Sequence, residues 1–149
     1  MDNVSLEELS PGNVDDLLKV SVFDHQTEFV PSIASSIEMA STYDEATCLV
    51  IRADSRICGF GLYGIDQETG NWKIFRLVVD QSLQGRGIGK QALRLMLDIL
   101  LNEKHAKEVL IVYADTNAPA HNLYTSFGFV PYATRGDRIL SKLTNAGGT

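Results

Sequence analysis

The segment Gln84-Gly85-Arg86-Gly87-Ile88-Gly89-Lys90 constrains this chain more than any other. It stands between a strand-forming run, Trp72 to Val79, and a segment in which Leu93, Met96, Leu97, Leu100 and Leu101 recur with helical spacing as one apolar stripe. A glycine-rich turn leading from a strand into a helix lets a ligand approach the backbone and aims the unpaired N–H groups of the helix start at it. Such a turn can cradle a pyrophosphate, and Arg86 and Lys90 add the positive charge a phosphate wants. A turn that merely joins strand to helix is the plainer alternative. A P-loop is disfavoured, because GxxxxGK[ST] needs glycine at Gln84 and a hydroxyl at Gln91. Gly59, Gly61 and Gly64 match the spacing of a dinucleotide fingerprint, but a polar loop follows where a helix should start, so the match is accidental.

The rest of the chain supplies the frame for that turn. Val4 to Glu7 reads as a short strand, and Ser10-Pro11-Gly12-Asn13 starts a helix carrying Leu17, Leu18, Val20, Val22 and Phe23. A second helix begins at Ser32 and runs through Ile33, Ile37 and Ala40. Thr47 to Arg52 and Ile57 to Tyr63 form a hairpin about Ala53-Asp54-Ser55-Arg56, and residues 64–71 are a polar loop. Val109 to Tyr113 is a buried-type strand. Asn117 caps a helix with Ala120, Leu123, Tyr124 and Phe127 on one face, which Gly128 stops. Phe129 to Thr134 and Asp137 to Leu140 flank a last turn at Arg135-Gly136, and the chain closes in a polar tail from Thr144. Hairpins dominate, so the expected class is α+β, with a mixed, mostly antiparallel sheet flanked by helices.

Composition bounds the function. At 149 residues with 44% hydrophobic and 21% charged residues the chain is one globular domain, 1–149, with no linker or repeat to divide it. No run approaches the ~20 apolar residues of a membrane span. The first eleven residues carry acids and no base, unlike a secretory leader, so a cytoplasmic protein is expected. Residues 1–46 hold ten acids and one base, a net of -9, and residues 47–149 hold nine acids and twelve bases, a net of +3. Such a division argues against nucleic acid and suits one anionic and one cationic ligand, though a solvated acidic surface also explains it. Cys48 and Cys58 lack metal-ligand spacing, and His25, His105 and His121 are scattered, so no metal site is expected and each histidine reads as a surface or hydrogen-bonded residue.

Two blocks in register carry a family resemblance. Phe75-Arg76-Leu77-Val78-Val79-Asp80 followed by Gln84-Gly85-Arg86-Gly87-Ile88-Gly89 resembles the acetyl-CoA signature of the GNAT N-acetyltransferases, and Asn117 to Tyr124 followed by Phe127-Gly128-Phe129 resembles a second block of that family. With the strand plan, the resemblance covers about residues 45–142. Gln26-x-x-Phe29-Val30-Pro31, Gly59-Phe60-x-x-Tyr63-Gly64 and Arg76 are similar to segments of bacterial spermine/spermidine (diamine) acetyltransferases. Phe75 stands where relatives of that group often carry an acid.

The resemblance implies an acetyl-CoA-dependent transferase, with residues 72–130 the cosubstrate-binding core and residues 1–46 the acidic, acceptor-side segment. It places the pantetheine along Leu77, Val78 and Val79, with the Val79 N–H polarising the thioester carbonyl. The pyrophosphate falls on Gln84, Gly85, Arg86, Gly87, Ile88, Gly89 and Lys90. Tyr124 becomes the general acid for the leaving thiolate or, alternatively, only a core aromatic, and Asn117 a helix cap and a CoA contact. Glu28 and Glu38 become the residues that bind a cationic amine, with Glu28 the candidate base, although a surface position accounts for either. The resemblance further implies a homodimer. A peptide acceptor and a non-enzymatic CoA-binding module remain as alternatives.

Overall fold

The computed structural model describes residues 3–8, 38, 41–42, 45–79 and 87–145. Seven strands, β1 (Val4–Glu8), β2 (Thr47–Ala53), β3 (Arg56–Ile65), β4 (Trp72–Val79), β5 (Glu108–Ala114), β6 (Val130–Arg135) and β7 (Arg138–Thr144), form one sheet in the order β1-β2-β3-β4-β5-β7-β6. The α-helices α1 (Ile88–Asp98) and α2 (Ala118–Ser126) follow β4 and β5 respectively. Every neighbouring pair is antiparallel except β4 and β5. The α+β class expected from the hairpins therefore holds. Of the two helices expected between residues 10 and 40, Glu38 alone falls among the described residues, and it is helical; the rest lie outside them.

Two strands run further than the sequence pattern indicates. β3 continues to Ile65 because Gly64 and Ile65 keep pairing with Lys73 and Trp72. β7 continues past Leu140 to Thr144, with Ser141, Lys142 and Leu143 opposite Ile111, Leu110 and Val109. Polar side chains there interrupt the alternation that marks a strand, while the backbone ladder does not depend on them.

One core cluster joins Leu49, Tyr63 and Ile74 of the sheet to Leu93, Met96, Leu97 and Leu100, with Val109, Ile111 and Tyr113 of β5 and Tyr124 and Phe129 completing it. The expected helical stripe is thus the buried side of α1. Beyond Asp98 the helix opens into one π-helical turn, Ile99–Glu103, which leaves Leu101 half-buried. A second cluster packs Ile88 and Ala92 at the start of α1 onto Ile51, Ala53 and Cys58, with Leu77 and Val79 at its margin. It holds the first turn of α1 against the end of β4.

The three glycines of β3 have a packing role instead of a nucleotide-binding one. A Cβ on Gly59 would fall on the carbonyl oxygen of Val78, one on Gly61 would come 2.7 Å from Met96 Sδ, and one on Gly64 would press on Ala46 and the Phe75 ring. Glycine there lets β4 and α1 approach β3 closely.

Candidate active site

The two parallel strands part. β4 and β5 pair only from Trp72, Lys73 and Ile74 to Val109, Leu110 and Ile111. β4 then continues against β3 to Val79, and β5 continues against β7 to Ala114. The cause lies at the next residue: Leu62 faces Arg76 while Tyr63 faces Ile74, so Phe75 is the extra residue of a β-bulge. A bulge bends its strand and increases the local twist, and this one directly follows the last β4–β5 pair. Leu77, Val78 and Val79, which the resemblance gives to the pantetheine, lie on the diverging stretch.

Both α-helices start at the carboxyl ends of these diverging strands, the end at which parallel strands present ligand sites. Their beginnings differ. α2 is closed by its own sequence: Asn117 Oδ1 accepts from Ala120 N at 3.2 Å and the Asn117 carbonyl from His121 N at 3.0 Å. α1 is preceded by Gly87, whose φ of 78° lies in the left-handed region favoured by glycine, and its first turn contains no acid. Ile88 is buried, Gly89 half-buried and Lys90 exposed. The start of this helix adjoins β4, since a Cβ on Gly89 would make an ordinary contact with Val79 Cγ2 at 3.7 Å. A helix start with glycine as its cap, no acid in its first turn and a lysine beside it suits an anion.

Tyr124 belongs to the core and borders the same region. Its ring lies 5.3 Å from that of Tyr113 and 5.9 Å, edge-on, from that of Phe129. Burial, with a smaller contribution from neighbouring Tyr113, pushes its hydroxyl well above the ordinary tyrosine range, so the side chain remains a protonated donor through neutral pH. The two sequence readings of Tyr124, core aromatic and proton donor, are therefore compatible. The Asn117 side-chain oxygen is engaged in the cap.

The acidic segment expected to bind the acceptor is described only in part. Glu38 is exposed, and its carbonyl accepts from Ser41 Oγ at 2.8 Å and Thr42 Oγ1 at 3.3 Å. Glu28, Gln84, Gly85 and Arg86 lie outside the described residues. At the bulge, Lys73 Nζ stands 5.3 Å over the Phe75 ring and Arg76 Nη1 donates to the Phe75 carbonyl at 2.6 Å. Among the described residues no three His, Cys, Asp or Glu side chains come together as a metal site, and no helix is long and apolar enough to cross a membrane.

Sequence reading missed one buried polar group. The Tyr113 hydroxyl lies 2.9 Å from His121 Nδ1 and 3.1 Å from Ser141 Oγ. His121 is thus a hydrogen-bonded histidine, one of the two roles expected for it. Ser141 fell beyond the strand end read from the sequence, and nothing local to it signals a partner 28 positions away.

Comparison with known proteins agrees with this geometry. The sequence profile of the acetyltransferase (GNAT) family matches residues 14–129. A spermine/spermidine N(1)-acetyltransferase of Bacillus subtilis (strain 168) is 23% identical over 133 residues, 85% of this chain and 88% of that protein. The spermidine N-acetyltransferase of Vibrio cholerae, solved with CoA and spermine, superposes with a TM-score of 0.77 at 13% identity, over 97% of each chain. The ribosomal-protein-S18-alanine N-acetyltransferase of Escherichia coli does so with a TM-score of 0.75 at 16% identity, over 95% of this chain and 94% of that one. With the profile spanning the glycine turn, the parting strands and the helix of Tyr124, the chain belongs to the acetyltransferase (GNAT) family.

Proposed function

We propose that the protein transfers the acetyl group of acetyl-CoA to a primary amine, with a polyamine or diamine such as spermidine as the acceptor. The observation that carries this reading is the parting of β4 from β5 beside the glycine-capped start of α1, with Tyr124 on the helix that follows β5. An extended pantetheine adds to Leu77–Val79 as a strand adds to a sheet edge. The pyrophosphate takes the turn 84–90, where Gly87 to Lys90 offer backbone and charge.

In the ternary complex the amine nitrogen attacks the thioester carbonyl carbon while the Val79 N–H holds the carbonyl oxygen. As the C–S bond breaks, Tyr124 gives its proton to the sulfur, and the proton lost by the acetylated nitrogen leaves through the acceptor side, with Glu28 as the base. Burial keeps the Tyr124 hydroxyl protonated at neutral pH, so it carries the proton that the leaving sulfur takes up.

The polyamine rests on the net charge of -9 over residues 1–46, which attracts and orients a cation, and on the resemblance to the Bacillus enzyme. Likeness to the ribosomal-protein-alanine enzyme favours a second reading, acetylation of a protein N-terminus. The assay is CoA release from acetyl-CoA in the presence of spermidine, spermine, short diamines and a peptide with N-terminal alanine. Turnover fastest with the polyamines is expected, the peptide winning would install the second reading, and no release with any amine would refute both. Within the polyamine reading, Glu28→Gln and Glu38→Gln raise the KM for spermidine far more than that for acetyl-CoA. A homodimer accompanies the reading and is checked by light scattering.

A further inference from the structure

The end of β5 has lost its β4 neighbour, yet it carries the connection to the helix that bears Tyr124. Past Ile111 the strand pairs with β7 alone. Tyr113 lies on this stretch. Its single hydroxyl reaches a residue on each of the two other elements, His121 of α2 and Ser141 of β7, so three elements meet at one oxygen. Ser141 is fully buried, and among the described residues it is the one polar member of the buried set. A buried hydroxyl is retained where it is hydrogen-bonded, and Tyr113 supplies that bond. With Tyr113 donating to His121 Nδ1 and accepting from Ser141, both hydroxyl hydrogens at the junction have an acceptor.

His121 and Tyr124 are three residues apart on α2, hence on one face of the helix. The Tyr113 ring also packs directly on that of Tyr124, 5.3 Å between centroids. Fixing the Tyr113 hydroxyl therefore fixes two things at once, the helical turn that carries Tyr124 and the ring its side chain rests on. We infer that Tyr113, His121 and Ser141 form a hydrogen-bonded clamp that positions Tyr124 in the diverging region, taking the place of the support β4 has withdrawn. The inference rests on Tyr124 as the proton donor of the proposed reaction. The three are positioning residues, since they act on the chemistry through Tyr124.

The test pairs kinetics with a probe of Tyr124 itself. Tyr113→Phe keeps the ring and removes the hydroxyl, and His121→Leu removes the acceptor. Asn places an amide where Nδ1 stood, so His121→Asn is the conservative variant. With spermidine and acetyl-CoA, Tyr113→Phe and His121→Leu should lower kcat about tenfold, as expected when a reacting group is displaced by a fraction of an ångström, with the KM for acetyl-CoA nearly constant. His121→Asn should restore most of kcat. In protein labelled with 3-fluorotyrosine, the Tyr124 signal, assigned by its loss in Tyr124→Phe, should shift or split in Tyr113→Phe and in His121→Leu and return in His121→Asn. Tyr113→Phe/Ser141→Ala, which leaves no orphaned serine hydroxyl, replaces Tyr113→Phe should the single variant not fold. An unmoved Tyr124 signal overturns the clamp whether or not the wild type turns over. So does an unchanged kcat in Tyr113→Phe when Tyr124→Phe is impaired. Wild-type protein inert towards every amine, or Tyr124→Phe as active as wild type, refutes instead the reading on which the clamp depends.

Discussion

Replacing Gly59 with alanine measures how closely β3 and β4 must approach to hold in place the strand proposed to bind the cosubstrate. The added Cβ would fall on the carbonyl oxygen of Val78, an atom of paired backbone that cannot rotate away, and 3.0 Å from Val79 Cα. Relief requires the strands to separate just where β4 has diverged from β5. Overpacking of this kind costs about 1–3 kcal/mol, and a glycine-to-alanine change returns up to about 1 kcal/mol of backbone entropy, so a net loss of about 1–2 kcal/mol is expected. For a domain of this size that is a Tm lower by about 2–8 °C. Gly61→Ala is the internal control. Its Cβ meets the tip of a flexible side chain, Met96 Sδ at 2.7 Å and Cε at 3.0 Å, which can turn aside, so the net cost stays below about 0.5 kcal/mol. Urea unfolding at constant m gives both numbers. Because Val78 and Val79 shift, Gly59→Ala should also raise the KM for acetyl-CoA. Gly59→Ala as stable as wild type, or the two variants equally costly, would refute the reasoning.

The remaining predictions concern single groups. Tyr124→Phe should lower kcat by about 10²-fold or more while the protein still binds CoA, seen by turnover beside calorimetric titration; unchanged turnover removes Tyr124 from the chemistry. Asn117→Ala removes the α2 cap and should cost about 1 kcal/mol by urea unfolding, and a much larger rise in the KM for acetyl-CoA than the capping loss explains would reveal a direct CoA contact. Tyr113→Phe leaves the buried Ser141 hydroxyl without its partner, a loss of about 1–3 kcal/mol that Tyr113→Phe/Ser141→Ala should partly recover. Burial raises the Cys48 thiol from its ordinary 9.0 to about 11. Between those values the unfolded chain ionises and the folded one does not, so stability falls as pH rises from 9.0 towards about 11, and Cys48→Ala should flatten that part of the urea-midpoint profile.

The central strands β2, β3 and β5 were legible because they are largely buried and read as apolar runs; β2, Thr47–Ala53, is buried at five of its seven positions. The helix α1 was legible from its stripe, and α2 from a cap and a terminating glycine, Gly128, whose φ of 99° explains the stop. What local pattern could not carry were features set by pairing. The Phe75 bulge is invisible in Trp72 to Val79, since it exists only as a mismatch with β3. Ser141 and Lys142 look like loop until β5 supplies their ladder. The site divides the same way. Gly87 and Tyr124 could be chosen by residue type, spacing and resemblance, whereas the group Tyr113–His121–Ser141 is assembled from three elements and has no signature in any of them.

The brevity of the β4–β5 ladder has a mechanical consequence. Three residue pairs are the whole backbone ladder between a four-stranded antiparallel half and a three-stranded one. Each half is knit by longer ladders, so opening at that joint breaks fewer backbone pairs than opening between any other two strands of the sheet. A cosubstrate bound along Leu77–Val79, as proposed, would act as the missing stitches. Its binding should therefore slow amide exchange on both flanks of the joint, from Leu77 to Val79 and from Val112 to Ala114, so that acetyl-CoA serves the protein as mortar as well as reagent.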